Sequence, residues 1–227
     1  MATKGGRHTG IGMTSTRTRD RMIERLRADG IRDEVVLAAM NAVPRHIFVD
    51  EALASRAYED TPLPIGDGQT ISQPWVVARM TELARNGGPL ARVLEIGTGC
   101  GYQTAVLAHI ADDVYTVERI GTLLAKARRH LQAIKVKNVR LMHGDGSADL
   151  GEDLSVDAIV VTAAATHLPN ALLKYLAPGG RMVLPLAQRI DDGEGVQRLT
   201  VIDATPGGFR EHTFDAVRFV PLLPGLA

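Results

Sequence analysis

The stretch Val93–Arg119 reads VLEIGTGCGYQTAVLAHIADDVYTVER. An apolar run enters a turn with glycines at 97, 99 and 101. A helix-like segment follows, and a second apolar run closes on Glu118-Arg119. Strand, glycine turn, helix and strand form the repeating unit of a parallel α/β sheet, whose ligands gather at such turns. The spacing here is G-x-G-x-G, whereas dinucleotide binders carry G-x-G-x-x-G; Tyr102 occupies the position of their third glycine. Gly97 and Gly99 still let backbone approach a ligand without a Cβ in the way. The spacing disfavours a dehydrogenase.

The alternation continues on both sides of this unit. Strands are expected at Arg92–Ile96, Val114–Glu118, Val139–His143, Asp157–Thr162 and Arg181–Pro185, with helices at about Gln103–Ile110, Ile120–Ala133 and His167–Leu176. That pattern predicts a parallel sheet with helices on both faces. The last part differs: two β-rich runs flank Pro206-Gly207-Gly208 and predict an antiparallel hairpin. Upstream, Met22, Ile23 and Leu26 share one helical face, and Asp33 can cap a second helix carrying Val36, Leu37, Met40 and Val43. A further short helical stretch is expected in PRHIFVDEALASRAYED, and a third amphipathic helix over Gln73–Asn86. Between these last two, TPLPIGDGQTIS reads as loop.

Composition bounds the rest. The chain has 227 residues, enough for one α/β domain with a full core and short for two. We divide it into a disordered tail over 1–15 and a single domain over 16–227. Within that domain, 16–88 hold the N-terminal helices and the loop before Pro74, and 89–227 the alternating sheet. Lys plus Arg number 26 and Asp plus Glu 26, a balance that gives no support to a nucleic-acid partner. No apolar run is long enough for a membrane span, and the first residues lack the apolar core of a signal peptide. The single cysteine, Cys100, suits a reducing compartment, so a cytoplasmic location is expected. The seven histidines are scattered without ligand spacing, and no metal site is expected.

The acids around the turn indicate the ligand. Glu95 precedes the glycines by two residues, within reach of a cationic amine. Glu118 lies some 20 residues beyond the first glycine, where a carboxylate accepts hydrogen bonds from ribose hydroxyls. The third strand ends in Gly144-Asp145-Gly146, where Asp145 can accept from an adenine amino group and the two glycines admit the ring. Two carboxylates around a site that needs no phosphate fit a positively charged nucleoside. S-adenosylmethionine, with its ammonium and sulfonium, is such a ligand.

The other informative segment is Pro64-Ile65-Gly66-Asp67-Gly68-Gln69-Thr70-Ile71-Ser72-Gln73-Pro74. Taken alone, Ser72 reads either as a functional hydroxyl or as the N-cap of the helix after it, with Pro74 in the first turn. No histidine and acid can be assigned to activate it as a nucleophile.

Together, GQTISQP, VLEIGTGCGYQTAVLA, VERI, HGDG, DAIVVTAA, LAPGGRMVLP and VRFVPL closely resemble the bacterial protein-L-isoaspartate O-methyltransferases, in the family's order, over about Met22 to Pro221. The glycine turn and acids alone resemble class I S-adenosylmethionine-dependent methyltransferases in general; the Thr-Ile-Ser-Gln-Pro segment makes the likeness family-specific. The resemblance implies an α/β fold: a Rossmann-like, doubly wound, mostly parallel sheet with an N-terminal helical addition, an antiparallel C-terminal hairpin and an altered order of the last strands. It implies methyl transfer from S-adenosylmethionine to the α-carboxyl of L-isoaspartyl residues in damaged proteins and peptides, starting repair through a succinimide. By position, Ser72 matches the active-site serine. Gly97, Gly99, Glu118, Arg119, Gly144, Asp145 and Gly146 match the cofactor site, to which Glu95 is added. Gln69, Thr70 and Ile71 would close over cofactor and substrate, while Ala163, Ala164, Val220 and Pro221 would line the substrate cleft. Cys100 replaces a common serine, and Ala165-Thr166-His167 replaces a proline-rich continuation. A monomer is expected. Two other readings remain: a methyltransferase for a small molecule or RNA, and a cofactor-binding module without turnover.

Overall fold

The computed structural model describes residues 12–151, 153–188 and 196–227. Of the tail expected over 1–15, residues 1–11 lie outside the described residues. Residues 12–15 are ordered: Gly12–Thr14 form a 3-10 turn, and Ser15 caps helix α1 (Thr16–Ala28) by accepting from the Thr18 N–H. Helix α2 (Glu34–Ala42) starts at Asp33, whose carboxylate accepts from the N–H groups of Val35 and Val36. Both starts follow the rule that a short polar side chain satisfies N–H groups left open in a first helical turn.

Two expectations fail in the next segment. The helical stretch forms only 3-10 turns, at Arg45–Phe48 and Glu51–Arg56. The expected loop is a β-hairpin, β1 (Leu63–Gly66) with β2 (Gln69–Ile71). Its tip is Asp67-Gly68, with φ of 52° and 70°. Positive φ at both central residues twists a two-residue turn to match the strands, and Asp-Gly is a preferred pair for it. Leu63, Ile65 and Ile71 are buried, so the alternation was present but short. Helix α3 (Pro74–Arg85) then runs to Asn86, a left-handed C-cap.

The sheet has seven strands: β3 (Leu90–Ile96), β4 (Ala111–Glu118), β5 (Val139–His143), β6 (Val156–Val161), β7 (Leu176–Gln188), β8 (Val196–Thr205) and β9 (Gly208–Val217). Their spatial order is β5-β4-β3-β6-β7-β8-β9. The first five are parallel, whereas β8 and β9 are antiparallel. The expected hairpin therefore extends the main sheet and makes its edge. Strand β7 begins earlier than expected: Leu176 already pairs with Val156, and a register shift follows near Gly180, where a Cβ would press on the carbonyls of Ala177, Asp157 and Val156. Helix α4 (Tyr102–Ala108) and helix α5 (Gly121–Ala133) connect the first strands; helix α6 is only Asn170–Leu173, much shorter than expected.

Burial explains the arrangement. Met22, Leu26, Leu37 and Met40 of α1 and α2 share one core cluster with Tyr102, Val106 and Leu131 of α4 and α5. Met80 and Leu83 of α3 pack with Val93, Val160 and Val183 on one sheet face. Leu94, Ile159 and Met182 fill the other. Successive residues of the central strands are buried on both faces, as a doubly covered parallel sheet requires. Strand order reverses between β3 and β6, and Ile96, Val117 and Val161 end level in adjoining strands. A crevice opens there, outside the carboxyl ends of the strands.

Candidate active site

The glycine turn sits over this crevice. Gly97 (φ 95°) and Gly99 (φ 55°) have left-handed backbone. A Cβ on Gly97 would overlap the Thr162 hydroxyl, and one on Gly99 would press on Ile65 of the hairpin. Glycine is thus required by conformation and by packing. The Thr162 hydroxyl donates to the Gly97 carbonyl at 2.6 Å, tying the turn to the end of β6.

Glu118, only 5% exposed, holds the next part of the site. One carboxylate oxygen accepts from the Gly99 N–H at 2.8 Å and the other from the Ile120 N–H at 2.9 Å. The side chain lines a cleft with Ile96, Gly97, Gly99, Val117, Ile120 and Leu123. Its atom-free space is about 650 Å³, open mouth included, which is nucleoside-sized. Gln69, Thr70, Ala163, Gly146, Val220 and Pro221 complete the walls. The hairpin is fastened over this cleft. Thr122 donates to Asp67 at 2.8 Å, and the Lys126 ammonium reaches the Ile65 carbonyl at 3.0 Å and Asp50 at 2.9 Å.

Two expected ligand acids lie elsewhere. Glu95 does not line the cleft; it is 0% exposed and sits beneath the turn. One of its oxygens accepts from the hydroxyls of Thr104 (2.5 Å) and Thr116 (2.6 Å), and Thr116 shares a further 2.7 Å hydrogen bond with Thr98. The other oxygen has no partner. Burial pushes the carboxyl up to about 8 against these two donors, and the charge of Glu118 adds to the rise. An acid this deep braces the turn; it does not present itself to an amine. Asp145 is also engaged, accepting from the Ser147 N–H and hydroxyl and, at 2.7 Å, from the Gly225 N–H. Burial opposes its ionisation, but the bonds from Gly225 and Ser147 outweigh it and hold the carboxyl below its usual range. Gly144 stays behind Val117, and only Gly146 of the three reaches the cleft. Arg119 lines the cleft while its guanidinium donates to the Gly225 and Pro224 carbonyls.

Ser72 adjoins the cleft through two smaller openings. One is shared with Gly97, Gly99, Tyr102 and Ile71, the other with Gln73, Phe219 and Val220; Thr70 and Thr162 border both and the main cleft. The N-cap of α3 is Gln73, and no side chain of its own caps that helix. Asp60 supplies the missing acceptor, taking the Trp75 N–H at 2.8 Å and the Gln73 amide at 3.3 Å. Capping is therefore not the work of Ser72. Its carbonyl accepts from fully buried Arg45 at 2.7 Å, while its hydroxyl has no hydrogen bond among the described residues. Arg45 also donates to the Ala57 carbonyl and stacks over the Tyr102 ring at 4.7 Å. Ala164 pairs with the segment after β9, its N–H donating to Val220 and its carbonyl accepting from Leu222. Of the two alanines, Ala163 is the one on the cleft wall.

Sequence reasoning missed Asp60, Arg45 and Thr162. Thr162 was accessible as the residue ending a central strand; for Asp60 and Arg45 no sequence signal was available. Within the turn, Cys100 is 3% exposed, its carbonyl lies 2.9 Å from His130 Nδ1, and burial pushes its thiol up to about 11. No helix among the described residues is long and apolar enough to cross a membrane.

A central strand ending in a glycine turn, followed by a strand ending in a buried carboxylate, within this strand order, defines a Rossmann-like methyltransferase. The profile of the protein-L-isoaspartate(D-aspartate) O-methyltransferase family matches residues 17–226, and the chain belongs to that family. The protein-L-isoaspartate O-methyltransferase of Dechloromonas aromatica (strain RCB) is 61% identical over 217 residues, covering 95% of this chain and 98% of its own. That of Methylobacillus flagellatus is 59% identical over 217 residues, covering 96% of each. Among solved structures, a beta-aspartate methyltransferase from Plasmodium falciparum in complex with S-adenosyl-L-homocysteine superposes with a TM-score of 0.75 at 26% identity. The overlap covers 90% of this chain and 98% of that one.

Proposed function

We infer that the protein transfers the methyl group of S-adenosylmethionine to the α-carboxyl of L-isoaspartyl residues in damaged proteins and peptides. The observation that carries this reading is the unengaged Ser72 hydroxyl, placed where the nucleoside-sized cleft meets a second opening to solvent. The walls suit the cofactor: Val117, Ile120 and Leu123 give apolar cover, and Glu118 offers a carboxylate beside the glycine turn. When bound, S-adenosylmethionine supplies an electrophilic sulfonium methyl.

The chain's own residues have the remaining tasks. An isoaspartyl carboxyl, with a pKa of about 4, is already anionic at neutral pH, so no general base is needed. Ser72 donates a hydrogen bond to one carboxylate oxygen and leaves the other free to attack the methyl in line. A neutral hydroxyl orients the anion without drawing off its charge. Arg45 fixes the Ser72 carbonyl, and Asp60 fixes the helix start after it, so the hydroxyl is held by rigid neighbours. The hairpin excludes water, and most of the acceleration comes from positioning. In the product, attack by the following backbone nitrogen on the ester carbonyl expels methanol and forms the succinimide; its hydrolysis returns some normal aspartate.

We take the protein to act as a monomer in the cytoplasm on polypeptide and not on nucleic acid, in keeping with its balanced charge. Tritiated-methyl transfer to an isoaspartyl peptide, with its aspartyl twin as control, tests the activity. Label on both peptides or on neither overturns it.

A further inference from the structure

Arg218 stands in the opening that Ser72 shares with Gln73, Thr162 and Val220, and it carries the only charge on that wall among the described residues. It makes no hydrogen bond or ion pair among those residues. Several other arginines are engaged: Arg79 pairs with Asp215, Arg85 with Asp33 and Arg181 with Asp203, while Arg45 and Arg119 donate to carbonyls. The acids nearby are also committed, Asp60 to Trp75 and Gln73, and Asp215 to Arg79. The backbone on either side of Arg218 is anchored. Val217 pairs with Gln197 in the sheet, and the Gln197 amide accepts from the Phe219 N–H at 2.6 Å and donates to the Phe219 carbonyl at 3.2 Å. A free guanidinium thus projects from a fixed base beside the serine.

We propose that Arg218 is a specificity-determining residue that recognises the anionic α-carboxylate of the acceptor. The proposal rests on the isoaspartyl reading of the site. A guanidinium matches a carboxylate in geometry and charge, and attracts it over a distance that shrinks with salt. The acceptor enters a cleft that already holds the Glu118 carboxylate, so a cation at the mouth offsets repulsion on the way in. The contact weakens as reaction proceeds, because the carboxylate loses its charge to the arriving methyl. Arg218 therefore favours the bound substrate over the transition state and has no charge to hold in the ester. It aids capture and lets the product go.

This division predicts a particular kinetic split. Arg218→Gln is expected to raise KM for an isoaspartyl peptide about tenfold without lowering kcat, since what is lost is ground-state binding. The salt dependence of kcat/KM should flatten over the range from about 20 to 200 mM, and Arg218→Lys should lie between the two. Calorimetry with enzyme saturated in S-adenosyl-L-homocysteine supplies a second readout. The wild type should bind the isoaspartyl peptide more tightly than its neutral α-carboxamide twin, and the Gln variant should lose that preference. Arg218 is exposed, so the variants should fold, and a thermal midpoint checks it. Unchanged KM and salt slope in the Gln variant, or a fall in kcat at constant KM, overturns the proposal while leaving the isoaspartyl activity standing. A wild type that fails to methylate the peptide overturns that activity instead.

Discussion

Replacing Glu118 with alanine removes a carboxylate that serves the fold and, in our reading, the cofactor. In the protein its two oxygens take the N–H groups of Gly99 and Ile120. We assign the remaining lone pairs to the ribose hydroxyls. A hydrogen bond to a charged group is worth about 1.5–3 kcal/mol, so the dissociation constant for S-adenosyl-L-homocysteine should rise roughly 10- to 150-fold. The two N–H groups lie at the cleft wall, where water replaces the lost oxygens, so stability should fall by about 1–2 kcal/mol with the fold retained. Calorimetry measures the affinity and a thermal melt the stability. A ligand lacking the ribose hydroxyls separates direct contact from damage to the turn. The wild type should lose affinity for it by about the amount the mutation costs, and the variant should barely distinguish the two ligands. An unchanged dissociation constant in a folded variant, or a variant as sensitive to the missing hydroxyls as the wild type, would refute the ribose assignment.

Other outcomes follow from the same geometry. Ser72→Ala should lower turnover by about one to two orders of magnitude, with cofactor affinity near normal and stability within about 0.5 kcal/mol, because its hydroxyl caps nothing. Thr should retain more activity, and equal turnover in all three proteins would remove Ser72 from the reaction. Glu95→Gln should change how stability depends on pH. Its folded-state value is raised, so its contribution is fully present below about 4.5 and is lost as pH rises towards about 8. The variant should gain thermal midpoint relative to wild type across that window, and parallel curves would contradict burial of a neutral acid. Gly97→Ala should abolish cofactor binding, because left-handed backbone and the Thr162 hydroxyl both exclude a Cβ; a well-bound cofactor in that variant would show that the turn has room to shift.

The sheet was legible because its signals are local. VLEI, VYTVE and DAIVV are buried on both faces and read as continuous apolar runs whose ends the structure moves by a few residues. The β1–β2 hairpin was missed although Asp67-Gly68 announced it, because two prolines and arms of only four and three residues masked the alternation. Placement on the cleft wall was legible where backbone geometry demands glycine, as at Gly97 and Gly99, and where a strand ends at the crevice, as at Glu118. It was not legible where side chains far apart in sequence compete for one acid. Nothing in HGDG shows that Asp145 is taken by Gly225, 80 residues later. Nor does LEIG show that Thr104 and Thr116 draw Glu95 under the turn. An acid's distance from a glycine motif fixes its strand end, while its partners decide which way it faces.

Burial of Cys100 shields its thiol from oxidants. A thiol held at about 11 is ionised in roughly one molecule in ten thousand at neutral pH, and the thiolate is the form that peroxides and alkylating agents attack. The glycine turn at the cleft thus carries the chain's one thiol in an inert form. A catalyst whose substrates are proteins damaged by age must go on working in the same ageing surroundings, and at this position it offers them no point of attack.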